Sequence, residues 1–287
     1  MTTYLITGAT GGYGKKAIEL LAQKVDKENI YALVRSEEKG ADLKAQGINL
    51  RIADYNDEAA LEVAFQGIDK VLFVSSMSFI EGERAKQHAN VVKAAKAANV
   101  QFIAYTSLAQ ADTVAAAFPL GDDHRFTEQA IKESGIKHTF LRNNWYLENE
   151  LAFLGAALAT GEFIDTTNGA QAGWVSRDDL AEAGVNILVT DNPTEIAELS
   201  GQNRTYADIV AALNEAKGTN IVVKTGTSEE LANQLIENGT PDEMANVVAG
   251  FQGAIASGFL KAETSDLEGI IGRPQTSLVN SLNNLLN

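Results

Sequence analysis

The chain of 287 residues is 45% hydrophobic and 21% charged, which suits one large domain or a domain with a smaller lobe. Its formal net charge of −15 disfavours nucleic acids and anionic membranes as partners, and the lack of cysteine excludes disulfides and thiolate chemistry. No apolar run approaches the roughly 18 residues of a membrane span. A strand begins within the first residues, so we expect a cytoplasmic protein without a signal peptide.

Short apolar runs alternate with amphipathic segments through the first half of the chain. The runs are rich in β-branched and aromatic residues, and Ile18, Leu21 and Val25 recur at helical spacing in the first amphipathic segment. The predicted strands span 4–7, 30–34, 48–53, 70–75, 100–106 and 137–142. The predicted helices span 13–24, 36–46, 57–66, 82–98 and 123–134. This alternation predicts an α/β fold with a Rossmann-type, doubly wound parallel sheet.

The alternation loosens after about residue 150, and the remainder predicts a smaller, mostly helical lobe. We expect a helix at 176–189 capped by Ser176, a strand at 195–201 and a short strand at 220–225. The predicted division is a dinucleotide-binding domain at 1–150, rejoined by 172–200, and a substrate lobe at 151–171 and 201–287.

Three glycines, Gly8, Gly11 and Gly14, stand between the first predicted strand and the first predicted helix, in TGATGGYG. The first suits a tight turn, the second lets the backbone approach a pyrophosphate, and the third lets the helix pack closely on the strand. The N–H groups at the start of the helix then face the anion. The G-K-[ST] ending of the nucleotide triphosphatase loop is missing. The turn therefore predicts dinucleotide binding, and a glycine-rich connection without a ligand is the alternative.

The end of the second predicted strand indicates which dinucleotide binds. An enzyme for NAD places Asp or Glu there, but this chain has Arg35 in ALVRS, about 20 residues beyond the glycines. A guanidinium suits the 2′-phosphate of NADPH, and Ser36 adds a hydroxyl. The position favours NADPH over NADH, the alternative being a solvated arginine.

Mostly polar residues lie at the ends of the other predicted strands, at the edge where a Rossmann sheet holds its ligand. They are Asp54, Tyr55, Ser75, Ser76, Met77, Thr106, Ser107, Arg142, Asn143 and Asn144. We expect Asp54 and Tyr55 near the adenine, and the segment 75–77 along the ribose and nicotinamide. Any one of them is open to the simpler interpretation of a strand-end cap.

Several motifs resemble the NmrA-like group of atypical short-chain dehydrogenases. They are TGATGGYG (7–14), ALVRS (32–36), ADYNDEAAL (53–61), FIAYTSL (102–108) and LRNNWYLEN (141–149). Within that group the pattern is most similar to the bacterial NAD(P)H:quinone reductases of type 2, and triphenylmethane reductases are similar too. The resemblance is specific to about residue 190 and weaker through GRPQTSLVNSLNNLL (272–286).

The resemblance implies an NADPH site made by the glycine turn, the arginine after the second strand, the serines after the fourth strand and the L-R-N-x-W-Y stretch. The residues of this chain in those motifs are Gly8, Ala9, Thr10, Gly11, Gly12, Tyr13, Arg35, Ser75, Ser76, Met77, Leu141, Arg142, Asn143, Asn144, Trp145 and Tyr146. We expect NADPH as the cofactor, without flavin or metal.

The proton-donating pair of the wider superfamily, Tyr-x-x-x-Lys, is absent, because no tyrosine of the sequence has lysine four residues on. Hydride addition to a ketone gives a basic alkoxide and needs a positioned acid. Addition to a quinone gives an anion that the ring already stabilises. The absence favours a quinone or a similar flat, electron-poor acceptor, and it disfavours an isomerase.

Few residues are candidates for the chemistry itself. Asn143 is predicted to hydrogen-bond a quinone oxygen, and His124, near the start of the fifth helix, to donate a proton; a structural histidine is the alternative. Phe79 and Phe118 are candidates for lining a flat apolar slot, the alternative being core packing.

Two functions remain open from the sequence. The first is NADPH-dependent reduction of a small quinone-like molecule by direct hydride transfer. The second is a non-catalytic NmrA-like redox sensor that binds NADP(H) and acts through a protein partner. A homodimer through the helix at 82–98 is an open possibility, because its apolar face is equally suited to covering the sheet.

Overall fold

The computed structural model describes residues 1–78, 80–113 and 119–286, with the backbone alone for 119 and 120. The chain divides into two compact units. Unit 1 comprises Met1–Asn143, Asp178–Leu199 and Gly269–Gly272, and unit 2 comprises Asn144–Arg177, Ser200–Glu268 and the chain from Arg273. The chain first changes unit after Asn143, where the sequence predicts a boundary near residue 150.

Strands and helices alternate regularly along the first half of the described chain. The strands are β1 (Tyr4–Ile6), β2 (Ile30–Val34), β3 (Asn49–Ile52), β4 (Lys70–Phe73), β5 (Phe102–Leu108), β6 (Lys137–Asn143), β7 (Glu162–Asp165), β8 (Ile196–Leu199) and β9 (Val222–Thr225). The α-helices are α1 (Gly12–Leu21), α2 (Ala41–Ala45), α3 (Glu58–Ala64), α4 (Glu83–Ala97), α5 (Pro119–Ser134), α6 (Leu151–Thr160), α7 (Arg177–Val189), α8 (Tyr206–Lys217), α9 (Ser228–Glu237), α10 (Asp242–Ala256), α11 (Leu267–Ile271) and α12 (Leu278–Leu285).

Seven strands of the described chain form one parallel sheet in unit 1, in the order β3-β2-β1-β4-β5-β6-β8. All residues of β1 and β5 are buried, as near-continuous apolar strands require when helices cover both faces. The strand order reverses between β1 and β4, and a Rossmann sheet binds its ligand at the carboxyl ends of the strands at that point. The predicted fold class is confirmed.

One face of the sheet packs against α3, α4 and α5. Leu5, Phe73, Tyr105 and Phe140 lie in this core and are each no more than 1% exposed. Asp57 caps the start of α3, because its side chain accepts the N–H of Ala60 at 3.0 Å. Burial of such side chains supplies the main stabilising free energy of the unit.

The second predicted helix is shorter than expected. The sequence predicts a helix at 36–46, but α2 covers only Ala41–Ala45. Ser36 instead begins a turn: its hydroxyl accepts the N–H of Lys39 at 3.3 Å and its carbonyl accepts the N–H of Gly40 at 3.2 Å. Serine side chains compete in this way with helical hydrogen bonds.

Unit 2 is mostly helical and contains the parallel pair β7 and β9. The short strand predicted near 220–225 is confirmed as β9, whereas its partner β7 was not predicted. Phe163 on β7 packs on Tyr206, with ring centroids 4.8 Å apart, and Tyr206 packs on Trp174 at 5.3 Å. Within the described residues, no helix is long and apolar enough to cross a membrane.

Candidate functional site

The glycine turn joins β1 to α1 and depends on glycine at two of its positions. Gly8 has φ of +58°, a left-handed conformation that favours glycine. Its carbonyl accepts the N–H of Gly11 at 3.0 Å. A Cβ atom on Gly14 would lie 2.3 Å from the Gly8 carbonyl oxygen. Gly8 and Gly14 are therefore required by the geometry of the turn.

The start of α1 offers backbone N–H groups to an anion. Gly11 and Gly12 are exposed, and the first turn of the helix carries no acidic side chain. The first N–H groups of a helix lack intrahelical acceptors, and the helix dipole favours negative charge there. Thr10 is half-buried and Ala9 fully buried, so the turn itself is well packed. This turn fits a phosphate group.

Tyr13 is held away from solvent within unit 1. It is 4% exposed, and its hydroxyl donates a hydrogen bond to the Leu180 carbonyl at 3.0 Å. The hydroxyl fits because residue 184 is glycine: a Cβ there would lie 2.4 Å from it. The backbone of Tyr13 belongs to the anion-facing turn while its side chain secures α1 to α7. Gly184 was not predicted from the sequence, since a single glycine within a helix gives no specific signal.

Arg35 follows β2 directly, next to the glycine turn. Strands β1 and β2 are adjacent and in register from Tyr4 with Ile30 to Ile6 with Ala32, so the residues after Ile6 and Val34 leave the same edge of the sheet. Arg35 is exposed and makes no hydrogen bond or ion pair with another residue of the described chain. Its charge is therefore available to an anion.

The two residues after β3 have different side-chain environments. Asp54 accepts the N–H of Asn56 at 2.9 Å in a tight turn. The hydroxyl of Tyr55 lies 2.5 Å from Thr7 Oγ1 and donates to the Val74 carbonyl at 2.8 Å. Burial raises the pKa of Tyr55 well above its usual value. The Tyr55 side chain thus joins the ends of β1 and β4.

The segment after β4 is held by side chains of its neighbours. The N–H of Ser75 donates to Thr106 Oγ1 at 2.8 Å, and the N–H of Ser76 donates to His88 Nε2 at 2.8 Å. Met77, by contrast, is 77% exposed. These residues lie beyond the carboxyl end of β4, at the edge of the sheet that bears the glycine turn.

The end of β6 carries Leu141, Arg142 and Asn143, all nearly fully buried. The guanidinium of Arg142 donates to Glu128 from Nε at 3.1 Å and from Nη2 at 2.9 Å. Its Nη1 atom lies 3.1 Å from Glu198 Oε1 and 3.0 Å from Asp112 Oδ1. Arg142 was predicted at the cofactor, but its side chain is committed to three carboxylates.

Asn144, Trp145 and Tyr146 belong to unit 2. Asn144 Nδ2 donates to Ser200 Oγ and to the Leu260 carbonyl, each at 3.0 Å. Tyr146 is half-buried, with the Arg177 guanidinium 5.9 Å from its ring centre. The predicted L-R-N-x-W-Y stretch is therefore divided between the two units. Its last three residues are assigned by the sequence to the cofactor, and that assignment stays a prediction.

Trp145 is part of a buried cluster around Glu150 that the sequence analysis missed. The indole N–H groups of Trp145 and Trp174 donate to Glu150 Oε1 at 2.8 and 2.9 Å, and the Tyr206 hydroxyl donates to Oε2 at 2.9 Å. Burial raises the pKa of Glu150 to about 7, although the three hydrogen bonds lower it in part. No local pattern marks this carboxyl group, because its donors lie up to 56 residues away.

His124 lies on α5 and is 4% exposed. Its Nδ1 atom is 2.7 Å from the Tyr105 hydroxyl. Burial, with a smaller effect from the Arg84 charge, lowers the pKa of His124 to about 3. The imidazole is therefore neutral at physiological pH, an environment that disfavours the proton donation predicted for His124. The predicted slot residues Phe79 and Phe118 lie outside the described residues.

Comparison with known proteins places this arrangement in a family. A family model described as NAD(P)H-binding matches residues 8–191. Quinone oxidoreductase 2 of Escherichia coli K12 is 40% identical over 286 residues, which cover 98% of each chain. The resemblance to NmrA-like reductases inferred from the motifs is confirmed.

Solved structures agree along the whole length. An NADPH-dependent quinone oxidoreductase from Escherichia coli, complexed with NADPH, has a TM-score of 0.90 at 39% identity and covers 99% of this chain and 100% of its own. The triphenylmethane reductase of Citrobacter sp. has a TM-score of 0.92 at 33% identity, with 99% of both chains covered. The chain therefore belongs to the NAD(P)H-binding family and is an enzyme of the NmrA-like oxidoreductases within it.

Proposed function

We propose that this protein uses NADPH to reduce quinones or similar flat, electron-poor molecules, and that hydride passes directly without flavin or metal. The observation that carries the proposal is the pairing of an open helix N-terminus at the glycine turn with the exposed cation of Arg35 at the same sheet edge. The first suits a pyrophosphate and the second a 2′-phosphate. The NADPH-bound relative supports this assignment.

NADPH, when bound, supplies a hydride at its nicotinamide ring. The residues of the chain would bind the cofactor and the quinone and orient them toward each other. The N–H groups at Gly12 and Tyr13 would bind the pyrophosphate, and the segment 75–77 would bind beside the nicotinamide. Arg35 would bind the 2′-phosphate through two hydrogen bonds, because a guanidinium presents its donors as a fork.

The reduction of a quinone suits a chain without the Tyr-x-x-x-Lys pair. A quinone that accepts one hydride becomes a hydroquinone monoanion, which the aromatic ring stabilises, and one proton from water completes the product. We assign the buried Asn143, at the end of β6, to a hydrogen bond with the substrate oxygen. His124 is neutral at physiological pH. We therefore assign it to donating a hydrogen bond and not to transferring a proton.

The direct experiment is to follow NADPH oxidation by the purified protein with a small benzoquinone. NADH in place of NADPH and a reaction without acceptor serve as controls. Turnover that requires the acceptor and prefers NADPH supports the proposal. Tight binding of NADPH without turnover, across quinones and cationic dyes, would instead support the redox-sensor function and contradict the reductase.

A variant of Asn143 separates substrate contacts from cofactor contacts. We expect Asn143→Ala to lower kcat with benzoquinone about 10-fold, because one hydrogen bond to a charged oxygen is worth about 1.5 kcal/mol or more. The affinity for NADPH measured by its fluorescence should change far less. An equal loss in both would show that Asn143 acts on the cofactor or the fold.

A further inference from the structure

Side chains of α4 and β5, rather than a strand ladder, fix the segment that follows β4. We call residues 74–78 the β4 loop. Two successive N–H groups of this loop, at Ser75 and Ser76, donate to Thr106 Oγ1 and to His88 Nε2. The loop carbonyl at Ser78 accepts a hydrogen bond from Arg84 Nη2 at 3.1 Å. The loop conformation therefore depends on residues that lie outside it.

One face of α4 provides most of these contacts. Arg84, Gln87 and His88 lie three and four residues apart, so their side chains share one side of the helix. The Ser76 hydroxyl hydrogen-bonds the Gln87 side chain, while His88 takes the backbone N–H of the same residue. Ser76 is thus held at two atoms by neighbouring residues of the helix.

The second ring nitrogen of His88 determines its tautomer. Its Nδ1 atom lies 2.8 Å from Thr127 Oγ1, and the Thr127 hydroxyl donates to the Asp123 carbonyl at 2.8 Å. Since that hydroxyl proton is already used, the Thr127 oxygen accepts from His88 Nδ1–H. The proton lies on Nδ1, and Nε2 is left as the acceptor that the N–H of Ser76 requires.

The imidazole is also locked by packing. His88 is fully buried, and its ring meets those of Phe73 and Tyr105 edge-on at 5.1 and 5.7 Å. Burial lowers the pKa of His88 well below its usual value, and the positive charge of Arg84 acts in the same direction. The ring is therefore neutral at physiological pH, so Nε2 remains free to accept.

We propose that His88 is a positioning residue of the oxidoreductase site. It accepts the Ser76 N–H and so holds the β4 loop in place. In this position Ser75, Ser76 and Met77 meet the nicotinamide and the substrate. The proposal rests on the proposed function for its catalytic consequence. His88 touches neither cofactor nor substrate in this assignment; it acts through the loop. Displacement of reacting groups by about 1 Å costs about 100-fold in rate.

The test compares His88→Phe with His88→Gln. Phenylalanine keeps a ring of similar size but leaves the Ser76 N–H without its acceptor, whereas the Gln side-chain oxygen reaches a position near that of Nε2. We expect H88F to lower kcat with NADPH and benzoquinone by about 10- to 100-fold, with a smaller rise in KM for NADPH. We expect H88Q to recover most of kcat.

Residue-resolved hydrogen exchange of the free protein provides a readout that does not depend on activity. The Ser76 amide should exchange faster in H88F and near the wild-type rate in H88Q. His138→Phe is the matched control, because His138 is a half-buried histidine at the amino end of β6, where its Nδ1 lies 2.8 Å from the Ile136 carbonyl. H138F should leave both kcat and Ser76 exchange unchanged.

Wild-type kcat and unchanged Ser76 exchange in H88F would overturn the proposal, as would equal loss of kcat in H88Q and H88F. If H88F does not fold, Thr127→Val replaces it: this variant removes the oxygen that fixes the tautomer and leaves the loop untouched, and it should speed Ser76 exchange. If the wild-type protein shows no activity, the proposed function is refuted. The hydrogen bond between His88 and the Ser76 N–H would still be tested by Ser76 exchange.

Discussion

The Arg142 guanidinium binds the Glu128 carboxylate through two parallel hydrogen bonds inside unit 1, Nε to Oε1 at 3.1 Å and Nη2 to Oε2 at 2.9 Å. Both residues are less than 5% exposed. Ser107 adds its hydroxyl to the same carboxylate at 2.6 Å. This pair links β6 to α5 just before Asn143 and so fixes the position of the carboxyl end of β6.

Arg142→Met should destabilise the fold rather than weaken cofactor binding. The variant leaves the Glu128 carboxylate buried without a counter-ion, which costs about 3–5 kcal/mol of unfolding free energy. Chemical denaturation measures the change. Lys137→Met, an exposed cation removed from the same strand, is the control and should stay within about 0.5 kcal/mol of wild type. Equal stabilities of the two variants would show that the ion pair contributes nothing.

Gly14→Ala should abolish NADPH binding. Its new Cβ would stand 2.3 Å from the Gly8 carbonyl oxygen, so the turn must open and the N–H groups at the start of α1 must move. NADPH fluorescence measures the affinity. Gly155→Ala in α6 is the matched control, since nothing lies within 4 Å of its added Cβ. It should bind NADPH normally and gain up to about 1 kcal/mol of stability. Normal binding by G14A would exclude the turn as the pyrophosphate site.

Arg35→Ala should raise KM for NADPH about 10- to 100-fold and leave KM for NADH nearly unchanged. The lost interaction is a charge-assisted pair with the 2′-phosphate, worth about 1.5–3 kcal/mol, and NADH lacks that phosphate. Lys24→Ala removes an exposed cation just beyond the other end of α1 and should alter neither constant. If R35A affects both nucleotides equally, Arg35 does not read the phosphate.

Glu150 should make stability depend on pH. Its pKa rises from 4.5 to about 7 in the folded protein, mainly by burial. Folding therefore favours the protonated form, and the stabilisation present below pH 4.5 is lost as pH rises to about 7, by about 3 kcal/mol in total. Glu150→Gln cannot titrate. The difference in unfolding free energy between wild type and E150Q, measured from pH 4.5 to 8, should change in favour of E150Q with rising pH.

Tryptophan fluorescence provides a second readout of the same group. The only two tryptophans of the sequence both donate to Glu150 Oε1. We expect the fluorescence of the native wild-type protein to titrate near pH 7 and that of E150Q to stay constant. A stability difference that is flat with pH, together with identical fluorescence titrations in both proteins, would contradict the buried, titrating carboxyl.

The sequence predicts the parts of this protein whose signals are local. A strand, three glycines and a helix follow one another within 18 residues, from Tyr4 to Leu21. The sequence alone therefore predicts the turn and its place in a parallel sheet. Arg35 is readable for the same reason, since it directly follows an apolar strand. The alternation of strands with helices then predicts a parallel sheet covered on both faces.

The rest depends on contacts between residues far apart in sequence. Arg142 meets Glu128 and Glu198 at separations of 14 and 56 residues. The donors of Glu150 lie 5, 24 and 56 residues away. Neither pattern has a period or a turn signal, so the sequence predicts neither the ion pairs of Arg142 nor the cluster around Glu150. The cofactor role of Arg142 stays a prediction. The late start of α2 was missed because Ser36 forms a turn where helical spacing predicts a helix.

Direct hydride transfer from NADPH is the central claim, and a deuterium label tests it most directly. The protein is given NADPH carrying deuterium at C4 of the nicotinamide, in each stereoisomer, with a cationic triphenylmethane dye as acceptor. Hydride addition to the central carbon of the dye forms a C–H bond that does not exchange with water. We predict that one stereoisomer delivers deuterium quantitatively to that carbon. A reduced dye that carries only solvent hydrogen would contradict direct transfer.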